Sequence, residues 1–153
     1  MKKLFQNFAI IVSVLLVYSC SSSSDEMEPV TPDPSSKVDP VGDILVIKDG
    51  VLMPQSGTNT EGMIELVSDE AGNFFLRLGS DFQSDFHTGT VTVYLSTSSK
   101  LKLAESGSFQ KIGIVNENGE QFFGLPNLPQ SKFNHGIIWC GAAGIPFGYG
   151  SLD

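Results

Sequence analysis

The chain has 153 residues, is 41% hydrophobic, and carries 17 acidic residues against 9 basic ones, a formal net charge of −8. That balance argues against nucleic acid as a partner, since such affinity comes largely from Lys and Arg neutralising phosphate, and against a polybasic contact with anionic lipid. It is compatible with a solvated surface, a cationic partner or cation binding.

The first residues read as a leader. Lys2 and Lys3 form a positive region, followed by the apolar run "FAIIVSVLLV" (8–17). That run has the length of a signal h-region and is short of the ~20 residues a membrane-spanning helix needs. The next residues, "VYSC", place Val17, Ser19 and Cys20 as in a bacterial lipobox, with Tyr18 bulkier than the residue usual there. Residues 1–19 therefore read as a lipoprotein signal peptide and Cys20 as the lipidated residue that opens the mature chain. Each buried lipid CH2 contributes ~0.8 kcal/mol, so several acyl chains hold a protein on a bilayer. The implied location is the cell envelope, anchored to the outer membrane.

Residues 20–40, "CSSSSDEMEPVTPDPSSKVDP", hold Ser, Pro and acid but almost no large apolar side chains. Such a segment buries too little surface to offset its ordering entropy and reads as a tether. The Ser run followed by Asp25, Glu26 and Glu28 resembles the acidic export signal of some surface-displayed lipoproteins. An acidic linker without that meaning is the plainer alternative.

Residues 41–153 are the expected folded domain, large enough for a single core. Its pattern is β throughout. "DILVI" is a short apolar run ending at the turn pair Asp49-Gly50. "MIELV" and "FFLRL" flank "SDEAGN" as a hairpin. "TVTVYLS" alternates, with Val91, Val93 and Leu95 on one face and Thr92 and Tyr94 on the other. "KIGIV" and "EQFFGL" flank "NENG", which predicts a second hairpin turning at Asn118-Gly119. "GIIWC" is a further strand. No window carries a helical stripe, and Gly and Pro recur too often for helix interiors. The expectation is an all-β, antiparallel sandwich or barrel.

Few residues select a chemistry. His87, His135 and Cys140 together make only three metal ligands, one short of the usual structural zinc set. His135 and Cys140 are five apart and would face opposite sides of one regular strand. "DFQSDFHTG" (81–89) is oxygen-rich but matches no EF-hand spacing and reads as a solvated loop. No pair among the many carboxylates stands out for glycosidase chemistry, and no G-x-S-x-G nucleophile elbow occurs. "GAAGIPFGYG" superficially resembles a dinucleotide fingerprint but opens no helix of useful length.

Cys140 is the residue that raises a question. With Cys20 lipidated, it has no disulfide partner in the chain, which is unusual in an exported protein. On a strand it shares a face with Ile138, while Ile137 and Trp139 share the other. It is either a small buried hydrophobe or a thiol kept for redox or ligand chemistry.

At this point the chain resembles a known family. "FNHGIIWCGAAGIPFGYGSL" is similar to the C-terminal signature of the DM-thirteen domain, also called the electron-transfer DM domain, with Phe133, Trp139, Cys140, Phe147, Gly148 and Leu152 on it. "TGTVTVYLSTSS" resembles the family's strand motif but departs from it at 88–91. "IGIVNENGEQFFGLP" matches at Gly113, Gly119, Gln121, Phe122, Leu125 and Pro126. Upstream, Gly62 and the pair Asp81-Phe82 also match. The resemblance covers about 50–152 and implies an extracytoplasmic β domain. It further implies a redox or electron-transfer role at Cys140, as a free thiol or as the ligand of a group such as haem, with a redox partner protein. Trp139 is expected to pack beside or shield Cys140, and Phe147 to close the core.

Overall fold

The computed structural model describes residues 39–153. The expected signal peptide, the expected lipid site at Cys20 and nearly all of the expected tether lie outside the described residues.

The described residues contain nine strands and no helix. Alternating apolar residues make each strand two-faced, and antiparallel sheets that bury one face each stack into a sandwich. Four strands form one sheet: β1 (Ile44–Val51), β3 (Met63–Asp69), β4 (Phe74–Leu78) and β7 (Gln121–Leu125), in the order β1-β3-β4-β7. Five form the other: β2 (Met53–Pro54), β5 (Val91–Ser96), β6 (Phe109–Val115), β8 (His135–Cys140) and β9 (Ile145–Ser151), in the order β2-β9-β8-β5-β6. All pairings are antiparallel.

The core lies between the sheets. Ile64, Leu66, Leu76, Leu78 and Phe123 come from the four-stranded sheet, and Val91, Val93, Leu95, Val115, Ile138, Cys140 and Phe147 from the other. Phe147 is the residue that a register shift between β8 and β9 turns inward, and it closes the core as expected. The strand of Val91, Val93 and Leu95 and the β3–β4 hairpin follow the sequence pattern. In the hairpin turn, Asp69 accepts from the backbone N–H and side-chain amide of Asn73 at 2.8 and 2.9 Å.

Two local expectations are corrected. Asp49-Gly50 is not a turn: β1 runs through it to Val51. Gly50 is there because a Cβ would run into the carbonyl oxygen of Ser151. β6 and β7 do not form a hairpin: β6 pairs with β5 and β7 with β4, so "NENG" carries the chain from one sheet to the other. The crossing is held by Gln121, whose side-chain amide donates to Glu117 O at 2.7 Å, and by Gly119 N–H donating to Phe82 O at 2.8 Å. The glycine-rich end is itself a strand, β9, because Gly148 and Gly150 fit where Thr60, Ile64 and the carbonyls of Met53 and Val51 leave no room for a side chain.

The matched Gly62 has φ of 106°, and a Cβ there would fall 2.6 Å from Phe82 Cα. Asp81 caps the next residue by accepting from Met63 N–H at 3.0 Å. Gly62 and the pair Asp81-Phe82 therefore form one structural contact.

Candidate functional site: the Cys140 corner

Cys140 ends β8 with its side chain on the core face, where Val91 of β5 is its direct cross-strand neighbour. The chain then turns sharply through 141–144, closed by Gly144 N–H donating to Cys140 O at 2.9 Å. Gly141 N–H donates to Thr90 O at 2.9 Å, which pins the turn to the loop before β5. In that loop Gly89, with φ of 125°, lets the backbone pass under Ala142, where a Cβ would come within 2.6 Å of the alanine methyl.

The sulfur has 0% exposure, yet all four residues of the turn beside it are exposed. Thr88 reaches it from the loop: its hydroxyl lies 3.5 Å from Sγ, and its carbonyl 3.9 Å. The Thr88 hydroxyl holds the thiol below its ordinary ionisation range, burial opposes that, and the main-chain N–H groups of Ala143 and Ala142 add to the lowering. Hydrogen bonds to the charged form favour thiolate, whereas apolar burial alone would disfavour it. The corner is thus more polar than a packing site for a small hydrophobe requires. Thr88 falls in the segment that departs from the family's strand motif, and no sequence signal distinguishes it from the neighbouring loop residues.

Trp139 does not shield the sulfur. Adjacent strand residues point to opposite faces, and Trp139 lies half-buried on the outer face of the sheet, opposite Thr92 and Pro146. Gly148 lies in β9, beside Ile138. His135 is likewise turned outward, its Nδ1 2.8 Å from the Asn134 side-chain oxygen. Among the described residues, no group of three metal-ligating side chains comes together, and Cys140 is a free cysteine.

A hollow of about 350 Å3 adjoins the corner, lined by Phe86, Gly89, Thr90, Val91, Ile114, Val115 and Asn116. Cys140 is not part of its wall. An axial ligand must present its sulfur to a cavity that accepts the macrocycle, and here the turn and Thr88 enclose it. The residues around Cys140 therefore do not fit a haem in this conformation.

Fold and corner together define an all-β sandwich with one enclosed, polarised thiol. Comparison with protein-family models, with curated proteins and with solved structures found no significant match to the chain.

Proposed function

We propose that this is a lipid-anchored, extracytoplasmic β-sandwich protein whose lone thiol, Cys140, serves a redox role toward a partner protein of the envelope. The observation that carries the reading is the Thr88 hydroxyl set against the Cys140 sulfur, reinforced by the main-chain N–H groups of Ala143 and Ala142. The anchor rests on the residues leading to Cys20, and the resemblance of "IIWCGAAGIPFG" to the DM-thirteen signature supports the same role. In this reading the thiolate attacks a disulfide of the partner. A mixed disulfide forms and the partner's second sulfur leaves as thiolate; because the sulfur is enclosed, the attack requires the turn 141–144 to open.

Thiol labelling of the native protein, with Cys140→Ser as the blank, tests this. Labelling faster than an unstructured cysteine peptide is expected. A native rate no faster than that peptide, with no mixed disulfide trapped by a partner, overturns it. Haem titration of the same samples is expected to give no Cys140-dependent absorbance band. For the anchor, Cys20→Ala is expected to release the protein from membranes.

A second reading has its own observation. Cys140 belongs to the hydrophobic core cluster and has no exposed surface, as in a non-catalytic surface module for binding or adhesion in which the cysteine only packs.

A further inference from the structure

The five-stranded sheet has an outer face that the core does not use. Strand alternation and register place its side chains in three rows. The central row runs Met53, Tyr149, Ile137, Tyr94, Lys111 across all five strands. One neighbouring row is Pro146, Trp139, Thr92, Ile114, and the other is Ser151, His135, Ser96, Phe109. Ile137 is fully buried although it lies outside the core cluster. Tyr149 and Tyr94 flank it in register and are half-buried themselves. Thr92 and Ser96 are buried on the same face. On this face, then, the small and branched residues are covered while the rings of Tyr94, Trp139 and Tyr149 stay partly exposed.

The rings are held in place. Tyr94 meets Phe109 edge-on with centroids 5.9 Å apart, and Tyr149 lies 6.5 Å from His135. A surface whose rotamers are already restricted loses little side-chain entropy on binding.

Its charge is unlike that of the rest of the molecule. No strand of this sheet contains an Asp or Glu, although the chain has 17, and Lys111 is their one Lys or Arg. The strands themselves offer a cationic ligand no carboxylate; Asp153, just past the end of β9, accepts from Ser151 Oγ at 3.3 Å and acts on His135 at one end of the outer row. Phosphate or an anionic membrane would find one lysine in an acidic protein. What the face offers is ring surface, two phenols, an indole N–H and the exposed Ser151 hydroxyl. Ring faces carry negative quadrupole charge and attract polarised C–H groups, while the ring edges donate and accept hydrogen bonds. The complementary ligand is uncharged, with C–H faces and a rim of hydroxyls. Tyr149 and Tyr94 stand two strand spacings apart, about 10 Å, a span that two linked sugar rings cover.

We propose that the outer face of the five-stranded sheet, centred on Tyr94, Trp139 and Tyr149, is a binding platform for a neutral glycan. The proposal rests on the second reading above, that of a surface binding module, and does not involve the thiol.

Trp139 is the chain's only tryptophan, so its emission reports on this face alone. The full-length protein is titrated with hexaoses of β-linked glucose, mannose and xylose, with α-linked glucose hexaose, and with oligogalacturonate as the anionic comparison. At least one neutral hexaose is expected to shift the emission saturably, with Tyr94→Ala and Tyr149→Ala each weakening binding about tenfold or more. Tyr94→Phe, which keeps the ring, is expected to bind better than Tyr94→Ala, and Cys140→Ser to bind as the parent does. Circular dichroism verifies that each variant is folded. The proposal is overturned if no neutral sugar moves the emission, if only oligogalacturonate does, or if the folded tyrosine variants bind like the parent. Sedimentation showing a dimer that Tyr149→Lys dissociates, or binding to neutral phosphatidylcholine vesicles without any glycan response, overturns the glycan but keeps a binding module.

Discussion

The hydroxyl of Thr88 lies 3.5 Å from the sulfur of Cys140, although the two residues are 52 positions apart. A loop and a strand end are brought together there, and the contact sets the chemistry of the thiol. Because the hydroxyl favours the thiolate, Thr88→Val is expected to raise the ionisation midpoint of Cys140 and Thr88→Ser to preserve it. The folded thiol is lowered from its ordinary value of 9.0, so in the parent the rise of alkylation rate with pH should be centred below that of a free cysteine peptide. The pH profile of iodoacetamide labelling measures this, and an unchanged midpoint in Thr88→Val would remove the hydroxyl from the account.

Phe147 and Trp139 are both aromatic residues of the C-terminal stretch 133–152, but only Phe147 is in the core. Phe147→Ala is expected to cost about 3–5 kcal/mol, the range for deleting a buried aromatic. Trp139→Ala, on the outer face, is expected to cost under about 2 kcal/mol. Urea denaturation followed by circular dichroism compares the two.

Gly50 passes so close to the Ser151 carbonyl that any Cβ must displace backbone. Gly50→Ala is expected to destabilise the domain by about 1–3 kcal/mol. Gly141→Ala places its Cβ 3.6 Å from Thr90 O, an ordinary contact, and is expected to stay within about 0.5 kcal/mol of the parent. Equal midpoints for the two variants would contradict the close approach of β1 and β9.

Gln121 is buried where the chain crosses between sheets, its side-chain amide satisfied by Glu117 O and Asn116 N–H. Replacing it by Ala leaves main-chain groups without these partners. Gln121→Ala is expected to cost about 1–3 kcal/mol, read as a lower urea midpoint with an unchanged slope.

Asp69 is held below its ordinary carboxylate value of 3.8, chiefly by the Asn73 side chain and also by the N–H groups of Val41, Asn73 and Ala71, against a smaller opposing effect of burial. A lowered folded value means that the stabilisation is present in full above the unfolded carboxylate range and is lost as pH falls through the folded value. Asp69→Ala is therefore expected to lower Tm at pH 7, and the gap to the parent to narrow at about pH 2.5. A gap that is constant with pH would show that the carboxylate charge is not involved.

Much of the fold was legible because its strands obey a two-residue period. Val91, Val93 and Leu95 alternate with Thr92 and Tyr94, and that alternation alone places them on the core face. "SDEAGN" is a turn by its own chemistry, since Asp69 captures the Asn73 amide within the loop. Asn118-Gly119 carries an equally good turn signal, yet it joins strands of different sheets. A turn signal reports a local reversal and says nothing about which sheet receives the next strand. β9 was hidden because its glycines break the apolar pattern, and their reason lies in distant atoms: Thr60, Ile64 and two carbonyls.

The sequence by itself determined that this is an all-β domain and that Cys140 shares the inward face of its strand with Ile138, with Trp139 on the other. Those properties follow from backbone geometry and local composition. Tertiary structure alone decided that Thr88 and the turn 141–144, rather than Trp139, surround the sulfur. It alone decided that Tyr94, Trp139 and Tyr149 gather on the outer face of the five-stranded sheet. Both outcomes depend on which strands become neighbours, and sheet pairing is set by the burial of the whole core rather than by any segment of it.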